Sequence, residues 1–142
     1  MNGARLKRIS IGCVAFIAAL LVLDLVPSFL PLSAIEYRLF GYFYFWLAVK
    51  AAVAMFVAAS IGAYFAQVDF VGPSVLLAAA VWAFTIYFLN SIAAVAGQDD
   101  ILAVAGINFL GLLFGVGGSA IGAIVGRSFA RQKSEDNAVG AT

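Results

Sequence analysis

An all-α integral membrane protein, an antiparallel four-transmembrane-helix bundle with both termini cytoplasmic, is the architecture predicted for this chain of 142 residues. Three observations lead there. Hydrophobic residues make up 65% of the chain and charged ones 11%, with a mean hydropathy of +1.09; a soluble domain is about half apolar and a quarter charged. The apolar residues fall in continuous runs long enough to cross a ~30 Å hydrocarbon core, without the alternation of a transmembrane β-barrel. The basic residues gather near the two chain ends. The first observation excludes a water-soluble globule. It also excludes disorder, which requires low hydrophobicity and high charge.

Residues 1–8 form a basic N-terminus, and the first span covers residues 9–26. Asp24 interrupts it, and Pro27 is expected to end it because proline cannot continue the hydrogen-bond ladder. The same run, led by Arg5, Lys7 and Arg8, also fits a cleavable signal peptide. Against that, no clean A-x-A follows, and Asp24 stands where small residues belong. Residues 25–37 are too apolar for an ordinary loop and too rich in proline for a helix. They are expected to lie in the outer interface or to dip back between helices, since exposed irregular backbone is not tolerated in hydrocarbon.

The second span covers residues 39–67 and is interrupted only by Lys50. Tyr37, Tyr42, Tyr44 and Trp46 cluster at its outer end, the interface that such side chains prefer. The third covers residues 70–97, with Pro73 in a first turn that tolerates it. Asp69, just before it, suits a helix start. The fourth covers residues 101–126 and follows Gln98, Asp99 and Asp100, whose carboxylates favour a helix N-terminus. Residues 133–142 read as a small, polar, disordered cytoplasmic tail.

Orientation follows from the basic residues. Arg5, Lys7 and Arg8 precede the first span, Arg127, Arg131 and Lys133 follow the fourth, and the two loops on the opposite side hold only Arg38. The positive-inside rule then puts both tails in the cytoplasm. Arg127 and Arg131 read as topology anchors or contacts to lipid headgroups. A compact four-span plan without an organellar targeting pattern points to a bacterial inner (plasma) membrane.

Within a bilayer, helices associate by close packing and polar contacts. Small residues recur every four positions at Gly111-Gly115-Ser119, at Gly118-Gly122-Gly126 and at Ala54-Ala58-Gly62-Ala66. These ridges serve packing within the chain or against another chain; spacing alone does not distinguish the two. Cys13, in the first span, reads as packing.

Ionisable and polar residues inside spans mark functional sites by default. Lys50, Asp24, Asn90, Asn108 and Tyr87 fall at similar depth in the outer half of the membrane, and Lys50 starts on the small-residue side of its helix. They are expected to form an intramembrane polar site. One reading is a structural clasp in which Lys50 pairs with Asp24 and the asparagines bond between helices. The other is a binding or translocation site centred on Lys50. Outside both stand snorkelling of Lys50 to the outer interface and a partner subunit's carboxylate.

Catalysis is not expected. The chain has no histidine and one cysteine, and no phosphate loop, H-E-x-x-H, CxxC or G-x-S-x-G motif. No metal, cofactor or nucleic acid is expected; membrane lipids are. The favoured reading is an accessory or scaffold subunit of a larger membrane complex, packing through its small-residue faces. The alternative is a homo-oligomeric small transporter or channel with its site around Lys50.

Overall fold

The computed structural model describes residues 3–29, 43–95 and 100–139. These form five helices: α1 (Gly3–Phe29), α2 (Phe43–Ala66), α3 (Val71–Val95), α4 (Ile101–Ile107) and α5 (Phe109–Val139). No strand occurs among the described residues. Among the described residues, four stretches are long and apolar enough to cross a membrane: Gly3–Leu23, Ala48–Ala66, Val71–Ile92 and Phe109–Ser134. The protein is therefore a helical membrane protein with four candidate spans.

The helix ends differ from expectation in three places. First, α1 starts at Gly3 and runs through Pro27 to Phe29. Pro27 lacks the N–H that would bond the Leu23 carbonyl, so α1 passes it with that one bond of the ladder missing. Residues 25–29 are thus helical; the remainder of the suspected interfacial segment lies outside the described residues. Second, the fourth apolar run is not one helix but α4 and α5, divided at Asn108. Third, α5 continues to Val139, where a disordered tail was expected from residue 133. Arg, Ala, Gln, Lys and Glu, all strong helix formers, are frequent in this extension, and no glycine or proline intervenes between Gly126 and Gly140.

The division at Asn108 has a local cause. Its Nδ2 donates to the Val104 carbonyl at 2.8 Å, and its backbone N–H donates to the same oxygen at 3.2 Å. Its own carbonyl accepts from Trp82 Nε1 at 3.0 Å and from the Gly111 N–H at 3.0 Å. Asparagine side chains compete in this way with the helical ladder, and φ −95°, ψ 8° removes the residue from helical geometry. At the other end of α4, the Asp100 carboxylate accepts from the Leu102 and Ala103 N–H groups, both at 3.1 Å, a standard N-cap.

The central pair is α2 and α5, with α1 packed on α2 and α3 on α5. A Cβ at Gly118, Gly122 or Gly126 would overlap the carbonyl of Ala52, Phe56 or Ser60 respectively. The three pairings rise together in both helices, so α2 and α5 run in the same direction. Glycines at this spacing let backbones touch, and Cα–H···O contacts contribute about 0.5–1 kcal/mol each.

A second tight contact joins α1 to α2. A Cβ on Gly12 would lie 2.8 Å from the Gly62 carbonyl oxygen, and one on Gly62 would lie 2.9 Å from that of Gly12. The Phe70 ring covers both, with Cε2 2.8 Å from the first Cβ position and Cε1 2.8 Å from the second. Phe70 and Phe16 are buried with Ala58, Ala59, Ala63 and Ala66 in the core. Cys13 packs against the same cluster. Between α3 and α5, the buried Ser74 hydroxyl donates to the Val71 carbonyl at 2.9 Å, with the Ser119 carbonyl a longer second acceptor at 3.4 Å.

Candidate functional site

Of the five residues expected to form a polar layer, Lys50, Tyr87, Asn90 and Asn108 have described side chains. Lys50 is exposed, on the flank of α2 that also carries exposed Val53, rather than turned onto the small-residue side. With 16 residues from Lys50 to Ala66, it stands about 24 Å along the helix from the Ala66 end. That is the third of a ~30 Å core farthest from that end. Tyr87 is exposed on α3, and Asn90 is half-buried one turn further on. Asn108 is half-buried at the α4–α5 break, where its Nδ2 and its backbone bond Val104, Trp82 and Gly111. No described hydrogen bond or ion pair joins Lys50, Tyr87 and Asn108. The Asp24 side chain lies outside the described residues, so its suspected pairing with Lys50 does too.

The packing residues divide by face. Gly118, Gly122 and Gly126 are consumed by α2 of the same chain. Of the alanine ridge, Ala58, Gly62 and Ala66 are buried, whereas Ala54 is only half-buried. Positions four apart drift by ~40° around a helix, which carries Ala54 away from the contact. Along the other glycine ridge, Gly115 meets Met55 Cγ at an ordinary 3.7 Å from its Cβ position, and Gly111 has open space beside it.

The structure also assembles a site that sequence reading leaves as scattered charges. Toward the C-terminal ends of α2 and α5, a cavity of about 460 Å³ is lined by Arg8, Arg127, Arg131 and Lys133, with Tyr64 and Gln67. The helical start of α1 brings Arg8 there. Arg127 and Arg131 follow one turn apart on α5. Arg127 Nη1 stands 3.9 Å from Asp69 Oδ1, a half-exposed pair of the kind that contributes little. Lys133 Nζ donates to Tyr64 Oη at 2.9 Å and lies 5.7 Å from its ring centroid. Gln67 follows α2 with φ +54°, and its N–H closes the helix onto the Ala63 carbonyl at 3.1 Å.

Beside this cavity runs an open groove of about 510 Å³ between α2 and α5. Ile61, Phe65 and Phe129 line it, with Ser60 at its deeper end. The charged cavity attracts oxyanions; the groove accommodates hydrocarbon. The clustering of basic residues at both chain ends was the available sequence signal, but only the fold joins Arg8 to Arg131 and adds Tyr64 and Gln67.

Comparison of the chain with protein-family models, with curated proteins and with solved structures finds no match.

Proposed function

We propose that this protein is a non-enzymatic accessory or scaffold subunit of a larger complex in the bacterial inner membrane, with four spans running up and down and both termini cytoplasmic. The observation that carries the subunit reading is the exposure of Lys50 on a membrane-embedded flank, with no described partner. An unsatisfied ammonium group costs about 2.5–3.5 kcal/mol at the centre of a span, and less toward the end where Lys50 stands. A carboxylate on a neighbouring membrane protein satisfies it.

The proposed topology draws support from two arrangements. As α1 ascends from Gly12 to Phe16, the α2 residues beside it descend from Ala66 to Gly62. Arg8, before the first span's apolar stretch, lines the same cavity as Arg127 and Arg131, at the far end of the fourth.

Contact between the α2 and α5 backbones at three successive turns leaves no passage between these two helices. In the alternative, homo-oligomeric reading the transport path runs between copies, with Lys50 at the seam. Lys50→Met separates the readings. In the subunit reading, the variant melts at the wild-type temperature but no longer co-purifies with its partner. In the transport reading, the homo-oligomer persists and flux in reconstituted vesicles is lost. Retention of a partner by the variant contradicts the subunit reading.

A further inference from the structure

The basic cavity and the apolar groove share a wall. Tyr64 and Lys133 line both, and the hydrogen bond between them marks the boundary. We propose that together they form one binding site for an anionic phospholipid of the leaflet at that end of the bundle, with its phosphate among the four cations and an acyl chain in the groove. This inference is independent of any contact made at Lys50.

Charge and depth both argue for a lipid. Arg8, Arg127, Arg131 and Lys133 face one cavity, and the only described ion pair there is the 3.9 Å contact of Arg127 with Asp69. Like charges held together repel, and a phosphate relieves that repulsion. The apolar stretch of α5 ends at Ser134, which places Arg127, Arg131 and Lys133 in its last turns, at headgroup level. Basic pockets between spans on the cytoplasmic side bind such headgroups.

The groove reaches deeper. Ser60 is one helical turn from Tyr64 toward the middle of the span, about 6 Å. Phe65 and Phe129 leave 54% and 61% of their surface open along the groove. Phe65 and Phe129 stand beside the cations, Phe129 between Arg127 and Arg131 on α5, and Ser60 and Ile61 carry the groove about one turn deeper than Tyr64. A phospholipid has the same pairing of a charged head with an apolar chain. A free anion would occupy only the charged cavity, and an acidic peptide in water would not reach the apolar groove.

The test is native mass spectrometry of the purified full chain in a mild non-ionic detergent, titrated separately with dioleoyl phosphatidylglycerol, dioleoyl phosphatidylcholine and inorganic phosphate. Phosphatidylglycerol is expected to bind in one discrete step, phosphatidylcholine much more weakly, and phosphate is expected not to displace the bound lipid. Arg8 and Arg131 are exposed, so the double variant Arg8→Gln/Arg131→Gln should keep the lipid-free melting temperature. Its phosphatidylglycerol affinity should fall roughly thirty-fold, about fivefold for each cation. The charge-preserving Arg8→Lys/Arg131→Lys should restore most of it. Phe129→Ser should weaken phosphatidylglycerol binding by shortening the hydrophobic wall. Equal binding of the two lipids, an unchanged affinity in the glutamine variant or in Phe129→Ser, or full displacement by phosphate would each overturn the proposal; the last would mark a free-anion site instead.

Discussion

Gly122 of α5 lies so close to the Phe56 carbonyl of α2 that no side chain fits between them. The same relation holds one turn before, between Gly118 and Ala52, and one turn after, between Gly126 and Ser60. Backbone contact over three successive turns is what makes α2 and α5 the spine of the bundle. It also means that these glycines are unavailable to another chain.

Gly122→Ala should therefore destabilise the bundle. The added methyl group meets rigid backbone, and overpacking of that kind costs about 1–3 kcal/mol, more than the ~1 kcal/mol that alanine gains over glycine in helix propensity. Gly111→Ala is the control: open space surrounds that position, so the propensity gain should stand alone and stabilise by up to ~1 kcal/mol. Thermal unfolding of both variants in detergent should move in opposite directions. Equal shifts would argue against the close approach of α2 and α5.

Phe70 should be the most sensitive large side chain. It is 1% exposed and closes the crossing of Gly12 and Gly62. Phe70→Ala should cost about 3 kcal/mol, as buried phenylalanine truncations do, and should loosen α1 from α2. Hydrogen exchange of the α1 amides is expected to accelerate more than that of α5.

Gln67→Gly should stabilise the chain by about 0.5–1 kcal/mol. Gln67 occupies the left-handed region, at φ +54°, where a residue with a Cβ is strained and glycine is the usual choice at a helix C-terminus. The gain is read as a raised melting temperature. A lowered one would show that the Gln67 side chain is needed in the basic cavity it lines.

Much of this architecture was legible in the sequence because membrane spans are written in long runs of one character. Among the described residues, α2 and α3 lie inside the apolar runs 39–67 and 70–97. The spacing of Gly118, Gly122 and Gly126 also announced a close-packed face. What it faces was not legible, because the partner atoms are the carbonyls of Ala52, Phe56 and Ser60, and a carbonyl leaves no mark on residue type. Phe70 read as the beginning of an apolar run, not as a wedge. The break at Asn108 was hidden because hydropathy does not register a side chain bonding to its own backbone, and Trp82, which holds that carbonyl, is 26 positions away.

The candidate site was legible only in parts. Equal depth along four spans suggested one layer of Asp24, Lys50, Tyr87, Asn90 and Asn108, but depth carries no information about rotation around each helix axis, and the Asp24 side chain lies outside the described residues. The exposure of Lys50 is a matter of rotation. The basic cavity shows the converse: the positive-inside rule assigns Arg8 and Arg131 to one membrane face, and only packing brings them to one cavity.

The subunit reading can be tested most directly with the wild-type chain, extracted with its native lipids into nanodiscs and weighed intact by native mass spectrometry. The account predicts a defined assembly containing a second polypeptide, with cross-links from the Lys50 flank of α2 to an acidic residue of that partner. A preparation containing only this chain, as a monomer or a homo-oligomer, would contradict it.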